Sequence, residues 1–417
     1  MKFLLESNPA FLLLEVGDNE YVFYNSLQHV GARLSELEVQ ILDLVYTYQD
    51  KEYILSKFSG NQYGLISDAI TAIEEHSLLK CQEIEPTPET VNDFPTEYYI
   101  HLTYRCNLKC LYCYNKTVRN KLQRDLSVNE WKKIIDTILP YAKRIVFTGG
   151  ECFLYEGIAE LIDYIKQQKE DVLITAISNG MHNFEKLARK RIFTGLSELS
   201  LSCDSLYLEG KRIGFNPSLF RNNIEWIKNH FPHISLSLSS VYTCDNKAEL
   251  KKIERYCFDN KLSFNQTILI PSSASEVELM PSIQEFYEDR VNRKHQSTAR
   301  ITHLKPPRFR CGAGRTVCSI APNGDVYPCQ SLHYPEFIMG NLLTGSIVNL
   351  NRELKLISVD DIPVCSRCNV KYICGGGCLA TGYSFYKNRL NRNHLTCYMN
   401  KCYAIEKLKS LDNRLNQ

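Results

Sequence analysis

The chain has 417 residues, 44% of them hydrophobic and 23% charged, the balance of a folded globular protein rather than a disordered one. Its 49 Lys and Arg against 47 Asp and Glu leave a net charge of +2, which argues against a general nucleic-acid or membrane-surface binder. The 17 Cys are too many to ignore and too unevenly spread for a small disulfide scaffold. At about 150 residues per domain, the length predicts two or three domains.

The N-terminal stretch MKFLLESNPAFLLLEV is apolar, but Glu6, Asn8, Pro9 and Glu15 interrupt it and no small-residue cleavage site follows, so it does not read as a signal peptide. No run approaches the ~18 apolar residues of a membrane helix. The expected compartment is cytoplasmic, where thiols stay reduced and clustered Cys point to metal or catalysis.

Residues 1–85 read as one unit. Phe11–Val16 and Glu20–Tyr24 are β-rich runs joined by Gly17-Asp18-Asn19, a hairpin signal. Ser35 with Glu38 three residues later forms a capping box, and Leu37, Ile41, Leu44 and Val45 follow at helical spacing. Further helical patterns lie near Glu52–Phe58 and Leu65–His76, which together predict a winged helix-turn-helix. Residues 1–95 hold five basic and sixteen acidic side chains, a net of −11. An acidic winged helix cannot neutralise phosphates, so no nucleic-acid partner is expected. An exposed strand edge there suits an extended peptide instead.

Pro86, Pro88 and Pro95 mark a linker over 86–97. Across 98–270 short apolar strands alternate with helical patterns, the strands falling at Tyr98–Thr103, Arg144–Thr148, Leu173–Ser178, Glu198–Ser202, Ser235–Val241 and Asn265–Ile270. Such alternation predicts repeated βα units and a parallel sheet, an α/β fold. Residues 271–310 form a polar bridging region, and 311–417 a Cys- and Gly-rich domain organised by metal.

Cys106, Cys110 and Cys113 lie in RCNLKCLYCYN directly after the first predicted core strand, spaced CxxxCxxC. Three thiolates can hold three irons of a cubane cluster and leave the fourth open. A zinc site is the alternative, but structural zinc takes four ligands and this stretch has no fourth Cys, with His101 the nearest other candidate. The later cysteines are Cys311, Cys318 and Cys329, then Cys365, Cys368, Cys374 and Cys378 spaced CxxCxxxxxCxxxC, then Cys397 and Cys402. Their CxxC pair is also compatible with zinc ribbons.

The CxxxCxxC motif, with aromatic Tyr112 before its third Cys, resembles that of the radical S-adenosylmethionine (SAM) superfamily. The resemblance implies a partial (β/α)6 barrel in which SAM chelates the open iron. Thr148-Gly149-Gly150-Glu151 resembles the family's GGE motif, which contacts the methionine amine; Gly permits close backbone approach and a carboxylate accepts from an ammonium. Ser178-Asn179-Gly180 resembles the strand end that contacts ribose and carboxylate. Ser202 and Asp204 sit where relatives have Ser-x-Asp-Gly, with Ser205 in place of that Gly. Arg212 and Gly214 stand near the position of an Arg-Gly pair beside the SAM carboxylate. No catalytic residue beyond these binding positions is identified.

The second cysteine group resembles the SPASM extension, which holds two auxiliary 4Fe–4S clusters. The resemblance implies one cluster on Cys311, Cys318, Cys329 and Cys378 and another on Cys365, Cys368, Cys374 and Cys397, with Cys402 competing for the last place. Three 4Fe–4S clusters and SAM are the expected cofactors. Cys81, Cys152, Cys203, Cys244, Cys257 and Cys402 remain and are expected as packed small hydrophobes, Cys152 beside Glu151 being the one candidate reactive thiol.

The N-terminal pattern resembles the recognition element of ribosomal peptide maturases, which pairs the leader of a precursor peptide with its sheet. The expected function is therefore a radical SAM peptide maturase. It would remove a hydrogen atom through a 5′-deoxyadenosyl radical and form an intramolecular thioether or C–C crosslink, with a flavodoxin- or ferredoxin-type electron donor. Two alternatives stand beside it. One is an anaerobic sulfatase maturase-like, formylglycine-forming enzyme, disfavoured because Gln330 follows Cys329 where those enzymes carry an Asp base. The other is a non-enzymatic zinc-binding scaffold.

Overall fold

The computed structural model describes residues 3–82, 94–116, 118, 124–269, 271, 274–282, 284, 302–303, 312–345, 358–392 and 394–409. Pro86, Pro88, Cys311, Ile270 and most of the 271–310 bridging region lie outside the described residues.

Two compact units divide the chain: Met1–Glu89 with Ser282–Cys311 and Ile357–Gln417, and Thr90–Pro281 with Gly312–Leu356. The first unit opens with β1 (Phe11–Gly17), β2 (Glu20–Asn25) and β3 (Val30–Ser35), followed by α1 (Glu36–Tyr48), α2 (Lys51–Leu55) and α3 (Tyr63–Glu75). Ser35 caps α1 with Glu38 reaching back to the Ser35 N–H, so the capping box forms as its spacing implies. Successive side chains of a strand point to opposite faces. Phe11, Phe23 and Ala32 accordingly pack with Ile41, Leu42, Ile66 and Ile70 of the helices. On the other face, Val22 and Tyr24 pack with Val370, Ala404 and Leu408 near the C-terminus. Beyond β3, the two residues Thr302–His303 (β12) add an antiparallel partner, His303 opposite Val30 and Thr302 opposite Gly31. Thr302 and His303, from the bridging region, therefore cover the Val30–Gly31 end of β3, while β1 forms the opposite edge of the sheet.

The second unit runs β4 (Glu97–Thr103), β5 (Lys109–Cys110), α4 (Val128–Ile138), β6 (Arg144–Gly149), α5 (Ile158–Gln168), β7 (Leu173–Ser178), α6 (Phe184–Ala188), β8 (Glu198–Ser202), β9 (Arg212–Ile213), α7 (Pro217–His230), β10 (Ser235–Tyr242), α8 (Lys247–Asn260), β11 (Ser263–Ile268) and α9 (Ala274–Val277). Its sheet has the order β11-β10-β8-β7-β6-β4, all parallel. Helices supply the covering layer through apolar faces such as Trp131, Ile134, Ile135 and Ile138 of α4 and Ile158, Leu161, Ile162 and Ile165 of α5. This is the α/β core that the alternating pattern implied, its six strands matching to within two residues. Beyond β4 the sheet continues through β13 (Val317–Ile320), parallel to β4, then β14 (Asp325–Tyr327) and β15 (Gly340–Asn341).

The C-terminal part of the first unit adds α10 (Pro363–Ser366), α11 (Lys371–Cys374), α12 (Leu379–Tyr386) and α13 (His394–Lys409). Among the described residues no helix is long and apolar enough to cross a membrane.

Candidate functional site

The three cysteines of CxxxCxxC follow the end of β4, and all are half-buried. Their loop is stitched to the turn after β6 by two backbone bonds and one from a side-chain amide. Gly150 N–H donates to Thr103 O at 2.8 Å, Glu151 N–H donates to Arg105 O at 2.9 Å, and Asn115 Nδ2 donates to Gly149 O at 2.8 Å. This contact demands glycine. A Cβ on Gly149, whose φ is +126°, would lie 2.2 Å from Thr103 O, and one on Gly150 would lie 2.2 Å from Arg105 O. The Gly pair thus fixes the cysteine loop against the strand beside it. From β7, Asn179 Nδ2 donates to Asn107 Oδ1 at 2.7 Å and points at Cys106 Sγ at 3.7 Å. Buried Asn223 of α7 holds that β7 turn by donating to the Gly180 and His182 carbonyls.

Glu151 is buried, with 1% of its surface exposed. Its carboxylate accepts from Ser178 Oγ at 2.9 Å, Asn179 N–H at 2.8 Å and Phe153 N–H at 3.2 Å. Burial pushes its pKa up to about 7 against those three donors. A positive group arriving at this carboxylate would pull the pKa back down. Ser178 and Asn179 therefore join Glu151 in one hydrogen-bonded network. Cys152, beside it, is buried, as expected of a packed side chain, and burial pushes its thiol well up, which argues against a reactive thiol there.

Asp204 and Arg212 form a buried ion pair, Nε to Oδ2 at 3.1 Å, and Asp204 also accepts from Val241 N–H. Arg212 lies opposite Cys110 in the β5–β9 ribbon and over the Tyr112 ring at 5.8 Å. Cys110 is pushed to about 11, first by burial and opposed by Arg212. Ser202 is half-buried at the end of β8. Ser205, in the place of a family Gly, donates to Glu249 and accepts from the Tyr207 and Leu208 N–H groups, so it closes a turn.

His101 does not join the cysteines. It is fully buried on β4, opposite Thr148, and its ring lies 4.3 Å from that of His333. Ser319 Oγ donates to Tyr99 O, so its oxygen accepts from His333 Nε2–H at 2.8 Å; His333 Nδ1 then accepts from Tyr104 O–H at 2.6 Å. Burial lowers His333 to about 3 and keeps this relay neutral. Both His101 nitrogens lack a hydrogen-bond partner among the described residues. Sequence reasoning had no signal for this cluster, because the two histidines are 232 positions apart.

Of the later cysteines, Cys318 is buried in β13 and Cys329 is half-buried just after β14, followed by half-buried Gln330. Cys365, Cys368, Cys374, Cys378 and Cys397 line one hollow, whereas Cys402 does not line it. Among the described residues, no three His, Cys, Asp or Glu side chains converge on one point as a single ion needs; these thiols surround a space instead. Arg392, missed in the sequence, also lines it and donates from Nε to Gly376 O at 2.6 Å, placing a cation beside four of the thiols. Cys203 and Cys257 are buried as expected, but Cys81 and Cys244 are exposed, so packing does not account for them.

A thiol trio anchored to a glycine turn at the carboxyl end of a six-stranded parallel sheet defines a radical SAM protein, and residues 100–257 match the radical SAM superfamily. Residues 311–369 match the SPASM iron–sulfur cluster-binding domain, so the chain carries a radical SAM domain followed by a SPASM domain and is an enzyme that reductively cleaves SAM.

Among curated proteins, mycofactocin maturase MftC of Mycolicibacterium smegmatis is 26% identical over 333 residues, 72% of this chain and 83% of the relative. The antilisterial bacteriocin subtilosin biosynthesis protein AlbA of Bacillus subtilis is 23% identical over 272 residues, 61% of this chain and 59% of the relative. In fold, the chain resembles Streptococcus suis SuiB with a TM-score of 0.56 at 16% identity, over 93% of this chain and 99% of that one. It also resembles anSMEcpe crystallised with AdoMet, with a TM-score of 0.57 at 17% identity, over 75% and 98%.

Proposed function

We propose that the protein modifies a ribosomally made precursor peptide, forming an intramolecular thioether or C–C crosslink. MftC is named a maturase, AlbA a bacteriocin biosynthesis protein, and SuiB is known in complex with a precursor peptide, SuiA. The match to MftC and the likeness to SuiB, known with a precursor peptide, carry the peptide part of the reading, and the stitching of the cysteine loop to the Gly149-Gly150-Glu151 turn supports its radical SAM part.

Cys106, Cys110 and Cys113 would hold a 4Fe–4S cluster, and Glu151, Ser178, Asn179, Ser202, Asp204, Arg212 and Tyr112 would surround SAM. When bound, these groups supply one-electron cleavage of the sulfonium and the 5′-deoxyadenosyl radical. The chain's own work is to bind and orient. Glu151 would accept from the methionine amino group, and Arg212 beside Cys110 would favour a carboxylate. Two auxiliary clusters, on Cys311, Cys318, Cys329 and Cys378 and on Cys365, Cys368, Cys374 and Cys397, would bring the total to three. Arg392 would offset the thiolate charge of the second set. A flavodoxin- or ferredoxin-type carrier would supply the electron. Gln330 carries an amide where a sulfatase maturase needs a base, which disfavours formylglycine formation.

Anaerobic reconstitution tests this. Wild type should reduce SAM to 5′-deoxyadenosine, and the Cys106→Ala, Cys110→Ala, Cys113→Ala variant should not; equal cleavage by that variant refutes the site. Coexpression with a short peptide encoded beside the gene should give a product lighter by two hydrogens.

A further inference from the structure

A charge taken out of water is costly unless an opposite charge answers it. Arg392 is 9% exposed and lines the hollow of Cys365, Cys368, Cys374, Cys378 and Cys397. Its hydrogen bonds run to carbonyl oxygens. Nε donates to Gly376 O at 2.6 Å, and Nη1 donates to Arg389 O and to Asn391 O at 2.9 Å each. Among the described residues no carboxylate pairs with Arg392, and Nη2 has no acceptor. None of the described residues lining the hollow is Asp or Glu. The other cations of the lining are accounted for: Lys371 pairs with Asp360 at 2.8 Å, and Lys401 is exposed to water. The sulfurs are what remains to answer Arg392. Burial disfavours its charge, and Cys365, Cys378, Cys374 and Cys397 work against that effect.

The guanidinium is also held in place. Gly376, between Cys374 and Cys378, has φ +79°, and a Cβ on it would lie 2.9 Å from Ile362 Cδ1. That turn offers the Gly376 carbonyl to Arg392 Nε. A Cβ on Gly382 of α12 would lie 2.2 Å from Asn391 O, so the missing side chain lets the Asn391–Arg392 segment lie against the helix. Two glycines thus seat one buried cation among thiols, with the two N–H of Nη2 left for a sulfur ligand.

One-electron reduction of a 4Fe–4S cluster adds one negative charge to the same volume. Net charge and hydrogen bonds to sulfur are among the features that set its potential, and a fixed charge acts more strongly where water is excluded. We propose that Arg392 is the resident counter-charge of the iron–sulfur cluster on Cys365, Cys368, Cys374 and Cys397 and raises its reduction potential. Arg392 is a positioning residue: it changes how readily that cluster takes up one electron and is not itself oxidised or reduced. This rests on the reading of those four thiolates as the ligands of an auxiliary cluster.

Redox titration of the anaerobically reconstituted holoenzyme, followed by electron paramagnetic resonance, tests this without turnover. The signal missing from Cys397→Ser identifies the cluster. Arg392→Gln removes the charge and keeps an amide for Gly376 O. At the wild-type midpoint it should shift the reduced-to-oxidised ratio about tenfold towards the oxidised form, a midpoint lower by about 59 mV for one electron. Arg392→Lys keeps the charge and should stay within about threefold of wild type, as should Lys401→Gln, whose charge water already screens. Independently of any variant, the wild-type midpoint should stay within about twofold between about 0.05 and 0.5 M salt, because a buried charge is poorly screened. An unchanged midpoint in Arg392→Gln overturns the proposal, as do equal shifts in the Gln and Lys variants or a tenfold drift of wild type with salt. Loss of this cluster's iron from Arg392→Gln but not from Arg392→Lys supports the counter-charge, and loss from both overturns it. A Cys397→Ser protein that keeps every signal and all its iron is a different result and refutes the auxiliary-cluster reading instead.

Discussion

The carboxyl group of Glu151 makes the stability of the protein depend on pH in a direction opposite to that of an ordinary surface carboxylate. Its folded pKa is raised from 4.5 to about 7 by burial. Below the unfolded value both states hold the proton, and the protonated group is the one the buried site favours. Between 4.5 and about 7 the folded chain keeps a proton that the unfolded chain releases, so stability falls as pH rises across that window. At about 1.4 kcal/mol per pH unit, the loss sums to about 3 kcal/mol by pH 7. Because the side chain is 1% exposed, solvent screening does not reduce this figure appreciably. Glu151→Gln removes the titration. It also turns an amide N–H₂ towards the Asn179 N–H that Oε2 now accepts, which adds a constant, pH-independent offset. The quantity to measure is therefore the slope. Thermal unfolding of anaerobically reconstituted wild type and Glu151→Gln, without SAM, should show wild type losing about 3 kcal/mol relative to the variant between about pH 4 and 7.5. A flat or rising difference across that window would refute the raised pKa of this buried carboxyl.

Three further outcomes follow from particular contacts. Cys397→Ser should lose about four irons per chain, one cubane, while Cys402→Ser keeps them, because of these two Cys397 lines the hollow with Cys365, Cys368, Cys374 and Cys378 and Cys402 does not; inductively coupled plasma analysis reads the difference. Arg212→Met should destabilise the protein by about 3–5 kcal/mol by stranding buried Asp204, and adding Asp204→Asn should recover part of that loss in chemical denaturation. Removing residues 1–85 should do more than weaken peptide binding. It uncovers Val370, Ala404 and Leu408, so the truncated chain should aggregate or lose auxiliary-site iron, and Leu408→Ala alone should cost about 2–5 kcal/mol; a soluble truncation with undiminished iron would contradict this packing.

Much of the core was legible because its determinants are local. The β runs of 98–270 alternate with amphipathic helices, and a capping box such as Ser35 and Glu38 spans one helical turn. CxxxCxxC and Gly149-Gly150-Glu151 are likewise short, since each must form one tight loop. The strand at Val30–Ser35 escaped notice because Gly31 and Arg33 interrupt its apolar run just before the cap. The β5–β9 ribbon escaped because two residues carry no period.

Local chemistry therefore named the thiols, the glycine turn and the alternation of strand and helix. Which of them meet depended on partners far along the chain. Tyr104 bonds His333 across 229 positions, β13 extends the sheet beside β4, and the N-terminal sheet borrows one face of its cover from α13 and one edge from Thr302–His303. Such pairings are chosen by how separate apolar faces and unpaired strand edges satisfy one another once the chain has collapsed, and no short window of residues holds that information.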